Sequence, residues 1–124
     1  MTFFTSINNC YLPKARVLAK SIKKFLPNST VILILSDKIP QEILLENEPF
    51  DEIITIDKLG IPIENLNMWI YKHSVIELCT AVKGQALLNL LEKYDRVVYF
   101  DPDIVLFDKL DILDNLLDKY DIIG

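Results

Sequence analysis

Apolar residues fall along the chain in two alternating patterns. Short, nearly continuous runs rich in β-branched and aromatic residues occupy positions 3–7, 31–35, 52–56 and 97–100. They lack strict apolar–polar alternation, as parallel strands covered on both faces do. Between the first two runs, Ala15, Leu18, Ala19, Ile22 and Phe25 recur at helical spacing and predict one apolar stripe. Pro13 suits the first turn of that helix, and Pro27 lies just past its end. Lys14, Arg16, Lys20, Lys23 and Lys24 take the opposite, solvated face. A short helix is expected over 40–45. Helices are also expected over 74–82 and 85–92 with an interruption near Gly84, giving Leu87, Leu88, Leu90 and Leu91 to a core. A last amphipathic turn or two is expected over 110–119. The order β-α-β-α-β-α-α-β predicts an α/β fold with a mostly parallel sheet and helices on both faces. Residues 120–124 read as the opening of another strand, so the chain is expected to be the N-terminal part of something larger, or a truncated product.

With 124 residues, 51% of them hydrophobic and 25% charged, the chain has the composition of one folded domain rather than a disordered one. Two cysteines, Cys10 and Cys79, cannot build a disulfide framework and read as free thiols in a reducing cytoplasm. No apolar run approaches the roughly 18 residues of a membrane span, and the first residues lack the basic segment of a signal peptide. The net charge of -5 is localised: residues 101–124 hold seven aspartates against two lysines, while the first hundred residues are balanced. A neutral body with an acidic end lacks the basic footprint of a nucleic-acid binder and favours a cation site over a polyanion site.

In open parallel sheets ligands bind beyond the carboxyl ends of strands. Two such ends carry chemistry: residues 8–12 after the first strand, and Asp101-Pro102-Asp103 after the fourth. With eleven aspartates in the chain, about one Asp-x-Asp is expected by chance, so the tripeptide has meaning only from its place at a strand end. Pro102 holds Asp101 extended and stiffens the link. Two carboxylates held so offer hard oxygen ligands to Mg²⁺ or Mn²⁺, with phosphate oxygens and water completing the shell. A plain surface turn uses the same residues. Tyr11 offers a flat ring for a nucleobase or simply packs, and Lys83 can meet a phosphate or stay solvated. His73 has no partner at metal-ligand spacing, Trp69 reads as core or interface, and Cys79 has no activating base. The three glycines form neither a dinucleotide fingerprint nor a phosphate-binding loop.

Residues 77–83, 87–91 and above all Arg96-Val97-Val98-Tyr99-Phe100-Asp101-Pro102-Asp103-Ile104 resemble the nucleotide-sugar half of GT-A glycosyltransferases, most closely family 8 and its bacterial relatives. Thr5-Ser6-Ile7-Asn8-Asn9-Cys10-Tyr11 and the following helix resemble that family's opening, and the similarity runs nearly end to end. The resemblance implies a Rossmann-like nucleotide-binding half, residues 1–124 forming one such domain and the acceptor half lying outside it. It implies a UDP-sugar donor, Mn²⁺ or Mg²⁺ as cofactor, and transfer of a hexose, with retention, to a saccharide or lipid-linked acceptor. By position, Asp101 and Asp103 would hold the metal and Asp101 would reach the ribose. Tyr11 would stack on uracil, Asn9 would meet the base edge, and Lys83 would contact the nucleotide. No catalytic residue follows from the resemblance. The family's third metal ligand is a histidine of the second half, and His73 lies in the wrong region to replace it. Gly84 stands where many relatives have proline. The implied location is cytoplasmic or peripheral at the inner membrane surface.

Two alternatives belong to other classes. Asp101-Pro102-Asp103-Ile104-Val105 also fits the Asp-x-Asp-x-[Thr/Val] pattern of haloacid dehalogenase phosphatases, but that motif normally follows the first strand and needs far more chain downstream than the 21 residues after Asp103. A non-catalytic fragment that binds UDP or packs on a partner is the third reading, with self-association through an unpaired sheet edge.

Overall fold

The first apolar run, Thr2–Ile7 (β1), is buried along its whole length, as its lack of alternation predicts. Residues 1–121 are described by the computed structural model, apart from the side chains at 75 and 76. β1 is followed by helix α1 (Leu12–Phe25), β2 (Thr30–Leu35), β3 (Glu52–Thr55), helices α2 (Leu66–Lys72) and α3 (Val75–Leu91), β4 (Val97–Tyr99) and α4 (Asp111–Leu117). The four strands form one all-parallel sheet in the order β3-β2-β1-β4, a Rossmann-like α/β layout. The register pairs Thr5 with Leu33 and Phe4 with Tyr99.

Alternate residues of β1 and β2 feed two different cores, because strand side chains point to opposite faces in turn. Phe3, Ile7, Val31, Leu33 and Leu35 pack with Ala15, Leu18, Ala19 and Ile22 of α1. Phe4, Ile32 and Ile34 pack on the other face with Leu78, Val82, Ala86 and Leu90 of α3. The α1 stripe therefore lies where its spacing put it, and its basic residues ring the outside. Arg16 pairs with Glu48 through two hydrogen bonds of 2.8 and 2.5 Å, and that guanidinium holds the Glu48 carboxyl below the usual glutamate range.

Several expectations need correction. No helix covers 40–45. A single turn closes with the Ile43 N–H donating to the Pro40 carbonyl at 3.1 Å, and a 3-10 turn follows at Leu45–Asn47. So few residues do not hold a helix without a buried face, and Leu44 and Leu45 stay exposed. The helix α2 was not anticipated: its N-cap Asn65 accepts from the Met68 N–H at 3.1 Å, and Leu66, Trp69 and Ile70 form a short stripe that packs against the α3 core without any residue being fully buried. Gly84 does not interrupt α3, which starts at Ser74 with a reciprocal capping box to Glu77. Its inward face is the four-residue series from Leu78 to Leu90, so Leu87 is only half-buried, and Leu88 and Leu91 are exposed. Apolar burial along that face outweighs the cost of about 1 kcal/mol that a helical glycine carries.

A Cβ added at Gly84 would meet nothing within 4 Å. Gly84→Ala is accordingly expected to stabilise the fold by about 0.5–1 kcal/mol in denaturant unfolding; destabilisation would mean that the helix bends there.

Past β4 the chain does not resume as a strand. Residues 104–107 cross to α1, where buried Ser21 holds them: its hydroxyl accepts from the Leu106 N–H at 3.0 Å and donates to the Leu18 carbonyl at 2.7 Å. Leu106 is thereby sunk into the α1 core while Phe107 stays open to solvent. Arg96, just before β4, donates to Asp114 at 3.1 Å and to Asp118, tying α4 to the base of the strand. Tyr120 and Asp121 form no strand, and the remainder of the expected strand, 122–124, lies outside the described residues. Among the described residues, no helix is long and apolar enough to cross a membrane.

Candidate functional site

In this strand order the chain leaves β1 toward β2 and β3, then returns to place β4 on β1's other side. The carboxyl ends of β1 and β4 therefore diverge at a topological switch point, the place where open α/β sheets hold ligands. A cavity of about 240 Å³ lies there. Ser6, Ile7, Asn8 and Tyr11 line it from β1 and the 3-10 turn that follows. Lys83, with Cys79 and Thr80, lines it from α3, and Tyr99 and Asp101 line it from β4 and beyond.

The walls are fixed to one another. The Ser6 hydroxyl donates to the Cys79 carbonyl at 3.0 Å, which clamps α3 to the end of β1. Cys79 Sγ lies 3.3 Å from Ser36 Oγ, just past β2. Lys83 is four residues after Cys79 and so projects from the same side of α3. Its ammonium donates to Asp101 Oδ1 at 3.2 Å and sits 4.3 Å from the centre of the Tyr99 ring. The Tyr99 hydroxyl donates to the same Oδ1 at 2.6 Å. Tyr99 leans in turn on Phe4, with ring centres 5.1 Å apart.

This geometry sets the charges. The Tyr99 hydrogen bond, and after it Lys83, holds the Asp101 carboxyl below the usual range against the opposing effect of partial burial. Burial, then the carboxylate of Asp101, pushes the Tyr99 phenol well above its ordinary value, so it stays a donor. Asp101 Oδ1 is thus saturated by two donors, while Oδ2 has no hydrogen bond among the described residues. The Asp101 side chain remains 58% exposed.

Of the residues singled out from sequence, Tyr11, Lys83 and Asp101 meet around this cavity. Asn9 does not line it. Its backbone N–H donates to Asp37 at 2.7 Å and its side-chain amide to the Lys38 carbonyl at 3.3 Å, so it braces the loop after β2. Asn8 lines the cavity instead, and its buried Oδ1 has no hydrogen-bond partner among the described residues. Asp103 is exposed and outside the lining. His73 is turned to the Trp69 carbonyl at 2.7 Å. Tyr99 and Ser6 were missed, although Tyr99 stands two residues before Asp101 and strand periodicity puts both on one side.

The donor set can be tested against a cation. Among the described residues no three acidic, His or Cys side chains gather at metal-binding distance. Asp101 and Asp103 are two carboxylates of which Asp101 alone lines the cavity, so Mg²⁺ or Mn²⁺ there would draw most of its shell from ligand phosphate and water. Such a pair does not fit a closed structural site. No known family model matches the chain, and comparison with curated proteins finds no significant match.

Proposed function

We propose that this domain binds a nucleoside-diphosphate sugar, with UDP as the nucleotide and Mn²⁺ or Mg²⁺ as the cation, and serves a glycosyltransferase that moves a hexose to a saccharide or lipid-linked acceptor. The observation that carries this reading is the convergence of Tyr11, Lys83 and Asp101 at the switch point between β1 and β4. They arrive from three separate chain segments, and they offer a nucleotide an aromatic face, a cation and a carboxylate. The resemblance of residues 77–104 to GT-A enzymes supports the same assignment.

In this reading Tyr11 stacks on the base, Lys83 meets the diphosphate, and Asp101 with Asp103 holds the cation. When bound, the cation supplies neutralisation of the charge that collects on the departing diphosphate. Tyr99 keeps Asp101 ionised and oriented.

Asp103→Ala is expected to lose metal-dependent UDP binding, while Lys83→Ala weakens binding on the order of tenfold with metal still required. Direct titration of each variant with UDP measures both. Unchanged affinity in Asp103→Ala would remove that residue from the site. Phosphate-ester hydrolysis with an acyl-phosphate trapped on Asp101 would instead assign the site to a phosphatase.

A further inference from the structure

Leu78, Val82, Ala86 and Leu90 hold α3 to the sheet by apolar contact, which has no preferred direction. Ser6 adds a directed one. It lies on the α3 face of β1, only 3% exposed, and its hydroxyl donates to the Cys79 carbonyl at 3.0 Å. Among the described residues this is the one hydrogen bond that joins β1 to α3. We infer that Ser6 is a positioning residue, which sets the seat of α3 on the sheet and thereby holds Lys83 over the Tyr99 ring and against Asp101. The geometry needs no ligand; its bearing on nucleotide affinity rests on the reading above, in which Lys83 meets the diphosphate.

Cys79 stands one turn before Lys83, about 6 Å along the helix axis. The carbonyl that Ser6 grips is the one the Lys83 N–H uses in α-helical bonding. A buried hydroxyl is costly without a partner, so the seat in which Ser6 Oγ meets that carbonyl is favoured over neighbouring seats that bury similar apolar area. Cys79 is met from a second strand as well, its Sγ lying 3.3 Å from Ser36 Oγ just past β2. Placement matters because successive residues of a helix point about 100° apart. A modest roll of α3 would carry Lys83 off both its partners, Asp101 Oδ1 at 3.2 Å and the Tyr99 ring at 4.3 Å. The Lys83–Asp101 pair is itself exposed and weak, so it follows the seat of the helix rather than setting it.

The ring current of Tyr99 gives a direct reading. In the proton NMR spectrum the ε-methylene protons of Lys83 are expected upfield of those of an exposed lysine, and Tyr99→Leu is expected to remove that shift, which identifies its source. In Ser6→Ala, verified as folded by circular dichroism, most of the shift is expected to be lost. Val82→Ala loosens the same face of α3 but leaves the Ser6 bond, and it is expected to keep the shift. Ser6→Cys, whose thiol donates only weakly, gives the same reading where the alanine variant does not fold. An unchanged shift without the hydroxyl overturns the positioning role, as does an equal loss in Val82→Ala. UDP affinity in Mn²⁺ is expected to fall about threefold to tenfold in Ser6→Ala, and no further when that change is added to Lys83→Ala. A full additional loss in the double variant would mean that Ser6 does not act through Lys83. Wild-type protein that takes up no UDP overturns the nucleotide assignment, while loss of the ring-current shift in Ser6→Ala still supports the positioning role.

Discussion

Phe4→Ala is expected to cost about 3–5 kcal/mol of stability, a large part of the roughly 5–15 kcal/mol that holds a domain together. Phe4 is 2% exposed at the centre of β1, and it packs on the same core face as Ile32, Ile34, Val82 and Ala86. Its ring also supports Tyr99 across the β1–β4 pair, so truncation leaves a cavity under the residue that orients Asp101. Strands on both sides limit how far the site can collapse around the missing ring, which keeps the loss near the upper end of the range. Guanidinium unfolding of the variant beside Phe4→Leu measures it, the leucine being expected to lose much less because it refills most of the volume. A loss below about 1 kcal/mol for alanine would mean that the α3 face is not a principal core.

The same residues show how far the fold was legible. Val31, Leu33 and Leu35 alternate with Ile32 and Ile34, and because both sets are apolar the run predicts a strand covered on two sides; it is one. The α1 stripe was equally plain, since five Lys and Arg residues lie on the side away from it. Residues 66–72 were missed although Leu66, Trp69 and Ile70 recur at helical spacing, because two turns make too short a stripe to stand out, whereas residues 40–45 depend on local turns rather than on a buried periodicity. Gly84 was misread for a related reason: the local propensity points to a break, and the packing of residues four apart on either side overrides it.

The site was legible in part. Tyr11, Lys83 and Asp101 are separated by up to 90 positions, and their meeting depends on the strand order, which no local pattern states. Periodicity alone also cannot tell Asn8 from Asn9: one lines the cavity and the other braces a loop because a 3-10 turn begins between them. The partners of Asp101 are tertiary facts of the same kind. That Tyr99 and Lys83 both donate to a single oxygen follows from α3 lying across β4, and nothing in either segment announces it.

Removal of the metal, or of the charge that would hold it, is expected to have the largest functional effect. Asp101→Asn keeps the shape of the side chain and loses its charge, so the hydrogen bonds from Tyr99 and Lys83 weaken and the proposed cation would lose the one carboxylate that lines the cavity. UDP affinity in Mn²⁺ is expected to fall by about a hundredfold or more, since the diphosphate then meets no neutralising ion. Chelation of the wild-type protein with EDTA is expected to have the same effect, and adding EDTA to the variant is expected to change nothing further. Isothermal calorimetry of UDP against the wild-type chain, in Mn²⁺ and then in EDTA, therefore tests the central claim most directly. Saturable heat with Mn²⁺ that disappears with EDTA is the predicted result. No binding in either condition, or equal binding in both, would contradict it.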